Sequence, residues 1–291
     1  MKDGAITSVE AEAEVILCAG SYKSPHILQL SGIGNPDHLR SIGVEPVVES
    51  PGVGQNLQDH PAVAVIYDSL SGDTLDDAEN LFEVARCLMA RMGRLTSPVA
   101  EACAFVRSSP ELVEPDLQFH FAPANFANHG LEPYDGHAFT LGPVLVNPES
   151  RGRVLARSAD PATPPAIEVN VLTSQRDVKA MVRGIEIARE IVSQAPFDTD
   201  RGEELKPGPG VTSSQDLETY LRDNVELLYH PVGTCRMGSG ADVVVDPDLS
   251  VRGIENLRVA DASVMPKVVS GNTNAPTMMI AARAGDFILN T

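Results

Sequence analysis

Positive charge is what this sequence has least of: Lys and Arg total 22 against 40 Asp and Glu, a formal net charge of −18. Phosphate backbones are held by clustered cations, so nucleic acid is excluded as a partner. Charge of this sign and size bears on solubility and says little about fold. Long apolar runs are also missing; none approaches the ~20 residues that span a bilayer. The opening MKDGAITSVEAEAEV carries no secretory apolar segment, so a cytoplasmic protein is expected. The four cysteines, Cys18, Cys87, Cys103 and Cys235, form no CxxC pair and no metal-ligand spacing. In a chain this long they are expected to be reduced thiols, with no metal. His120, His129 and His137 fall in a Pro/Gly/Asn-rich stretch without ligand geometry and are expected on the surface or in loops. A phosphate-cradling glycine loop is absent as well. GIGNPD and GVGQNL each contain GxG, but neither has the third glycine nor sits between a strand and a helix.

What is present suits a globular protein. A length of 291 residues with 43% hydrophobic residues allows one large domain or two ordinary ones around a sizeable core. VEAEAEVILCAG predicts an extended segment ending in a buried strand at Val15–Cys18. In SYKSPHILQLSGIG, Ser24 is the expected N-cap, Pro25 the first helical residue and Gly32 the stop. Ser50 to His60, SPGVGQNLQDH, is a Gly/Pro turn region. Residues 75–92 place Ala78, Leu81, Phe82, Ala85, Leu88 and Met89 at helical spacing, with Gly93 closing the helix. DLQFHFA, FTLGPVLVNP, RGRVLARS and PPAIEVNV then alternate or run apolar between turns, which predicts an antiparallel sheet. Val178, Met181, Val182, Ile185, Ala188, Ile191 and Val192 mark an amphipathic helix capped by Ser174, and another helix starts near Ser213. The tail holds a strand at Leu257 to Asp261 and a helix opening at Pro276.

Chemistry concentrates in two places. In LYHPVGTCRMG, His230 ends an apolar run just before Pro231 and Gly233. It is a satisfied core histidine, one member of a His/Cys nucleophilic pair with Cys235, or a base facing a cofactor. Nothing local supplies the third group that would orient a base for Cys235. In the tail, GNTNAP leads into a helix with Pro276 in its first turn. Free N–H groups and the positive dipole end there suit an anion or developing negative charge. Asn272 and Asn274 bring amide groups to the same spot. Plain capping explains the same residues equally well.

HPVGTCRMG, RVADASVMP and GNTNAPTMMIAARAGD together resemble the C-terminal portion of glucose–methanol–choline (GMC) oxidoreductases. AGSYKSPHILQLSGIG is similar to that family's second signature, and PGVGQNLQDH to the segment after it. The resemblance spans the chain in order and is nearest to the choline-dehydrogenase-like, FAD-dependent alcohol dehydrogenases. It implies a mixed α+β and α/β fold, the C-terminal part of a GMC-type architecture. Residues 1–60 and 226–291 would be segments of an incomplete FAD-binding domain, and 61–225 a substrate domain on an antiparallel sheet. It implies His230 and Asn274 as the catalytic pair, His230 handling the hydroxyl proton while hydride goes to flavin N5, so that an alcohol becomes an aldehyde. It implies Asp261, Ala262, Asn272, Pro276 and Thr277 around the FAD.

The βαβ unit with GxGxxG that whole members carry is not in this sequence, so the resemblance is to a truncated enzyme. Expected partners are a small-molecule alcohol, a complementary N-terminal FAD-binding chain and an electron acceptor such as a quinone, the last placing the membrane periphery among the expected locations. The alternative is an inactive fragment or partner-binding module without stable FAD binding. A choline substrate calls for an acidic or aromatic cage; with no Trp and five Tyr, none is evident.

Overall fold

The computed structural model describes residues 7–290; Met1–Ile6, the first residues of MKDGAITSVEAEAEV, and Thr291 lie outside them. The chain begins with β1 (Val15–Leu17), α1 (Gly20–Leu30), β2 (Ile33–Gly34), α2 (Pro36–Ser41), β3 (Val48–Glu49), β4 (Pro61–Ala62) and β5 (Val65–Ser69). Next come α3 (Leu81–Ala90), β6 (Ala102–Val106), β7 (Leu117–Ala122), β8 (Ala138–Leu145), β9 (Arg153–Leu155) and β10 (Ala166–Glu168). The last part holds α4 (Gln175–Val192), β11 (Arg201–Lys206), α5 (Ser214–Asn224), β12 (Glu226–Leu227), β13 (Leu257–Val259) and α6 (Asn274–Leu289). Two compact units result. One gathers residues 1–58, 151–170 and 230–291; the other gathers 59–150 and 171–229.

The second unit is built on a seven-stranded sheet in which β8 pairs antiparallel with β7, β5 and β4. The alternation expected for DLQFHFA holds only in part: Leu117 and Phe119 are buried, but so is Gln118 between them, and Phe121 is only partly buried. α4 lies on this sheet through Val178, Met181, Ile185, Ala188 and Val192, which join Leu117, Phe119, Leu141 and Leu145 in one apolar cluster. Local chemistry explains the helix starts. Ser174 Oγ accepts from Arg176 N–H at 3.2 Å and Ser213 Oγ from Asp216 N–H at 3.1 Å, each satisfying a donor that the first turn leaves unpaired. Asp177, fully buried, accepts from the Ser150 N–H at 2.8 Å and the Ser150 hydroxyl at 2.6 Å, which anchors the chain entering the helix.

RGRVLARS and PPAIEVNV, expected to continue the central sheet, form β9 and β10 of a separate two-stranded sheet in the other unit. In that unit β1 pairs in parallel with β13, Val15 opposite Leu257. β1 is not the buried strand expected: Val15 is 50% and Ile16 39% exposed. α1 starts at Gly20, four residues before its expected cap. Ser24 is instead fully buried inside the helix, its hydroxyl turned to Asp261, and Pro25 sits in the second turn. Gly32 does end the helix, at φ +82°. α3 is shorter than 75–92 and leaves through Arg91 at φ +53°, ahead of Gly93.

Of the three histidines expected in loops, His120 lies within β7, opposite Cys103 of β6. Its Nε2 is buried without a hydrogen-bond partner, and burial lowers its pKa. No helix among the described residues is long and apolar enough to cross a membrane.

Candidate active site

The segment from Pro231 to Met237 has almost no regular structure, so its shape depends on bonds to remote parts of its own unit. The Ser21 hydroxyl donates to the Pro231 carbonyl at 2.6 Å. Val232 and Gln58 exchange backbone bonds at 2.9 and 3.1 Å. Asn56 Nδ2 donates to the Gly233 carbonyl at 3.1 Å. Thr234 accepts from Gly54 N–H at 2.8 Å through its carbonyl, while its hydroxyl donates to the Ser21 carbonyl at 2.7 Å. Cys235 and Met237 donate their N–H groups to the carbonyls of Ser263 and Val264 at 2.9 and 2.8 Å. These peptide groups thus find partners on the α1 entrance, the Gly54–Gln58 turn and the turn after β13. Gly233 is required at its place: its φ is +95°, and an added Cβ would lie 2.6 Å from the Asn56 carbonyl oxygen.

Buried Gln58 extends the brace. Its Nε2 donates to the Pro266 carbonyl at 3.3 Å, and its Oε1 accepts from Val268 N–H at 3.2 Å. The segment bearing His230 and the loop leading to α6 are therefore held by one residue, the first through its backbone and the second through its side chain. Half-buried His230 opens this segment. Asn272 and Asn274 are both exposed, Asn274 as the first residue of α6. The cap position, Thr273, makes no side-chain capping bond, and the first turn carries no acidic residue. Among the described residues its first turn is thus left without a side-chain cap or an acid of its own, which fits an electron-rich group. Pro276 is the third helical residue, and Thr277 donates its hydroxyl back to the Thr273 carbonyl at 2.7 Å.

Asp261 is committed elsewhere. Its Oδ2 accepts from Gly20 N–H at 2.9 Å and from the Ser24 hydroxyl at 2.5 Å, and its Oδ1 from Ser263 N–H at 2.8 Å. The carboxylate thus ties the α1 N-terminus to the turn containing Ala262, and it suits a structural role better than direct contact with a cofactor. Cys235 is fully buried, and burial pushes its thiol far above the ordinary range, with the Asp261 charge adding to the effect. A thiol so held is no nucleophile, which removes the His/Cys pair.

Sequence reasoning missed Asn56, Gln58, Ser21 and Gln29. Buried Gln29 donates to the Val154 carbonyl at 2.9 Å and accepts from Ala156 N–H at 2.6 Å, fastening β9 to α1. The available signal was polar side chains at alternate positions of a Gly/Pro turn, where no periodicity assigns them to solvent.

The GMC oxidoreductase family matches the chain over residues 1–62 and 148–281. This chain belongs to the GMC oxidoreductase family. It is 45% identical over 289 residues to an uncharacterized GMC-type oxidoreductase of Mycobacterium tuberculosis, covering 98% of this chain and 54% of that protein. It is 42% identical to an alcohol dehydrogenase [acceptor] of Pseudomonas putida, over 95% of this chain and 51% of the relative. An oxygen-dependent choline dehydrogenase of Photobacterium profundum is 41% identical over 98% of this chain and 51% of its own length. Among solved structures, a formate oxidase of Aspergillus oryzae studied for FAD modification superposes with TM-score 0.88 at 29% identity, over 96% of this chain and 54% of that one. The chain spans about half the length of the curated relatives it matches. FAD is the cofactor of this fold.

Proposed function

We propose that this chain carries the proton-handling side of an FAD-dependent alcohol dehydrogenation, with His230 as the base and Asn274 as a hydrogen-bonding partner of the substrate oxygen. The observation that carries this is the bracing of Pro231 to Met237, which gives a fixed backbone to a half-buried imidazole. Removing a hydroxyl proton near neutral pH suits imidazole, whose ordinary pKa lies close to that range. An amide donates and accepts hydrogen bonds but takes no proton, so Asn274 orients and His230 deprotonates. When bound, FAD supplies the hydride acceptor. Asn272 and the open first turn of α6 would lie against its electron-rich edge. Asp261 would act at one remove, by holding Ala262 and the turn.

The substrate class is a small alcohol, supported by the alcohol and choline dehydrogenases among the relatives. A complementary polypeptide supplies the rest of the cofactor cradle. The exposed apolar residues of β1 are consistent with such a partner. The electron acceptor is a quinone-like molecule, and reaching it would bring the assembly to the membrane periphery.

The test is the visible spectrum of the purified chain with added FAD, followed by anaerobic titration with a primary alcohol. The expected result is a flavin band that the alcohol bleaches, either with the chain alone or once an N-terminal half from a relative is added. His230→Gln should keep the band and lose the bleaching. Bleaching at an unchanged rate in that variant would sink the base assignment.

A further inference from the structure

Helix α3 is amphipathic but faces the wrong way for a core helix. Asn80 caps it, accepting from Glu83 N–H at 3.0 Å, and the residue it buries is Glu83. That carboxylate accepts from Arg94 N–H at 3.0 Å and from the Arg86 guanidinium at 2.9 Å. On the other side, Leu81, Phe82, Leu88 and Met89 are 85, 69, 77 and 83% exposed. At helical spacing these residues form a single stripe, and exposed Met92 follows just past the end of the helix. Contiguous apolar surface of this kind marks an interaction site.

Charge at its two ends indicates the occupant. Glu79 just precedes the helix and Arg91 just follows it; both are exposed, and among the described residues neither side chain is engaged in a hydrogen bond or ion pair. The ten helical residues between them span about 15 Å. The other charges nearby are already committed: Asp77 and Asp73 to Arg94, Asp76 to the N–H groups of Asn125 and Ala138, and Arg86 to Glu83. A stripe that is negative at one end and positive at the other is complementary to itself when two copies run antiparallel, because a two-fold interface pairs residue i with j and j with i.

We infer that α3 packs antiparallel against α3 of a second copy of this chain, with Glu79 of each copy opposite Arg91 of the other. The acidic group Asp73, Asp76, Asp77 and Glu79 disfavours an anionic bilayer as the occupant.

The experiment is sedimentation equilibrium on the purified chain and its variants, each checked for native far-UV circular dichroism. The original chain should dimerise below about 100 µM, and Met89→Glu should leave it monomeric. Glu79→Arg and Arg91→Glu should each raise the dimer Kd about tenfold, and the doubly reversed chain should return to within about threefold of the starting value. A chain that stays monomeric at that concentration overturns the inference, including one that floats with zwitterionic vesicles or associates only with an N-terminal half from a relative. So does a dimer indifferent to Met89→Glu, or a double variant no tighter than the singles.

Discussion

The Ser24 hydroxyl donates to Asp261 Oδ2 at 2.5 Å across 237 residues of sequence, and both groups are buried. With Gly20 N–H on the same oxygen, this carboxylate closes the first turn of α1 from outside the helix. Replacing Asp261 by Asn keeps the shape but turns an acceptor towards donors with no charge behind it. We expect Asp261→Asn to lose about 2–3 kcal/mol and Ser24→Ala about 1 kcal/mol, read by urea unfolding without cofactor. Unchanged stability in both would show that the carboxylate is reserved for a ligand.

Gly233→Ala should destabilise by about 2–4 kcal/mol, because the position combines φ +95° with a 2.6 Å approach to the Asn56 carbonyl oxygen. Gly271→Ala is the control, with no atom within 4 Å and no positive φ. Equal melting temperatures for the two variants would refute the account of the braced loop.

Asn56→Asp exchanges an amide that donates to the carbonyls of Gly233 and Pro266 for a carboxylate that repels them. A loss of about 1–3 kcal/mol is expected, with Asn56→Gln recovering little because the longer chain misplaces the donor. The same denaturation series measures it, and a neutral Asn56→Asp would mean the loop is held by its backbone bonds alone.

Burial lowers the pKa values of His26 and His120, with Lys23 adding to the effect at His26. Both native states therefore disfavour the proton. Above the unfolded value of about 6.5 both forms are neutral and nothing is at stake; as pH falls below it the unfolded chain takes protons that the folded chain refuses, and stability declines. Urea midpoints at pH 7.5 and 5.5 should differ, and His120→Gln should shrink the difference. A midpoint that rises on acidification in the original chain and stays the same in the variant would contradict this.

Cys103 is exposed on edge strand β6, whereas Cys235 is fully buried with its pKa driven upward. A colorimetric thiol reagent should label Cys103 in the native protein and reach Cys235 only on unfolding. Rapid native labelling of Cys235 would reopen the His/Cys chemistry set aside above.

Where a structure depends on neighbours a few residues away, the chain announced it. The starts of α4 and α5 follow from Ser174 and Ser213, whose hydroxyls cap N–H groups two and three residues on. Leu117 and Phe119, two apart in β7, likewise enter the core, although Gln118 between them is buried as well. Ser24 misled because a serine before proline looks like a cap, while its true acceptor is Asp261, far away in sequence. The Gln29 bonds to β9, which draw residues 153–156 away from the central sheet, have no local signature either. In α3 the period identified the apolar stripe but carried no information about which way it turns. For the site, motif resemblance singled out His230 and Asn274, whereas Asn56 and Gln58 became visible only through the carbonyl groups they hold.

The parallel pairing of β1 with β13 joins Val15 to Leu257, and this bears on the newborn chain. β1 leaves the ribosome well before its partner strand, which lies more than two hundred residues further on, an interval on the order of tens of seconds at 5–20 residues per second. Residues 59–229 contain every strand of the seven-stranded sheet, so that unit can fold while β1 is still unpaired. Throughout this wait Val15, Ile16 and Leu17 are an apolar edge that β13 does not yet cover, a natural handle for a holding chaperone.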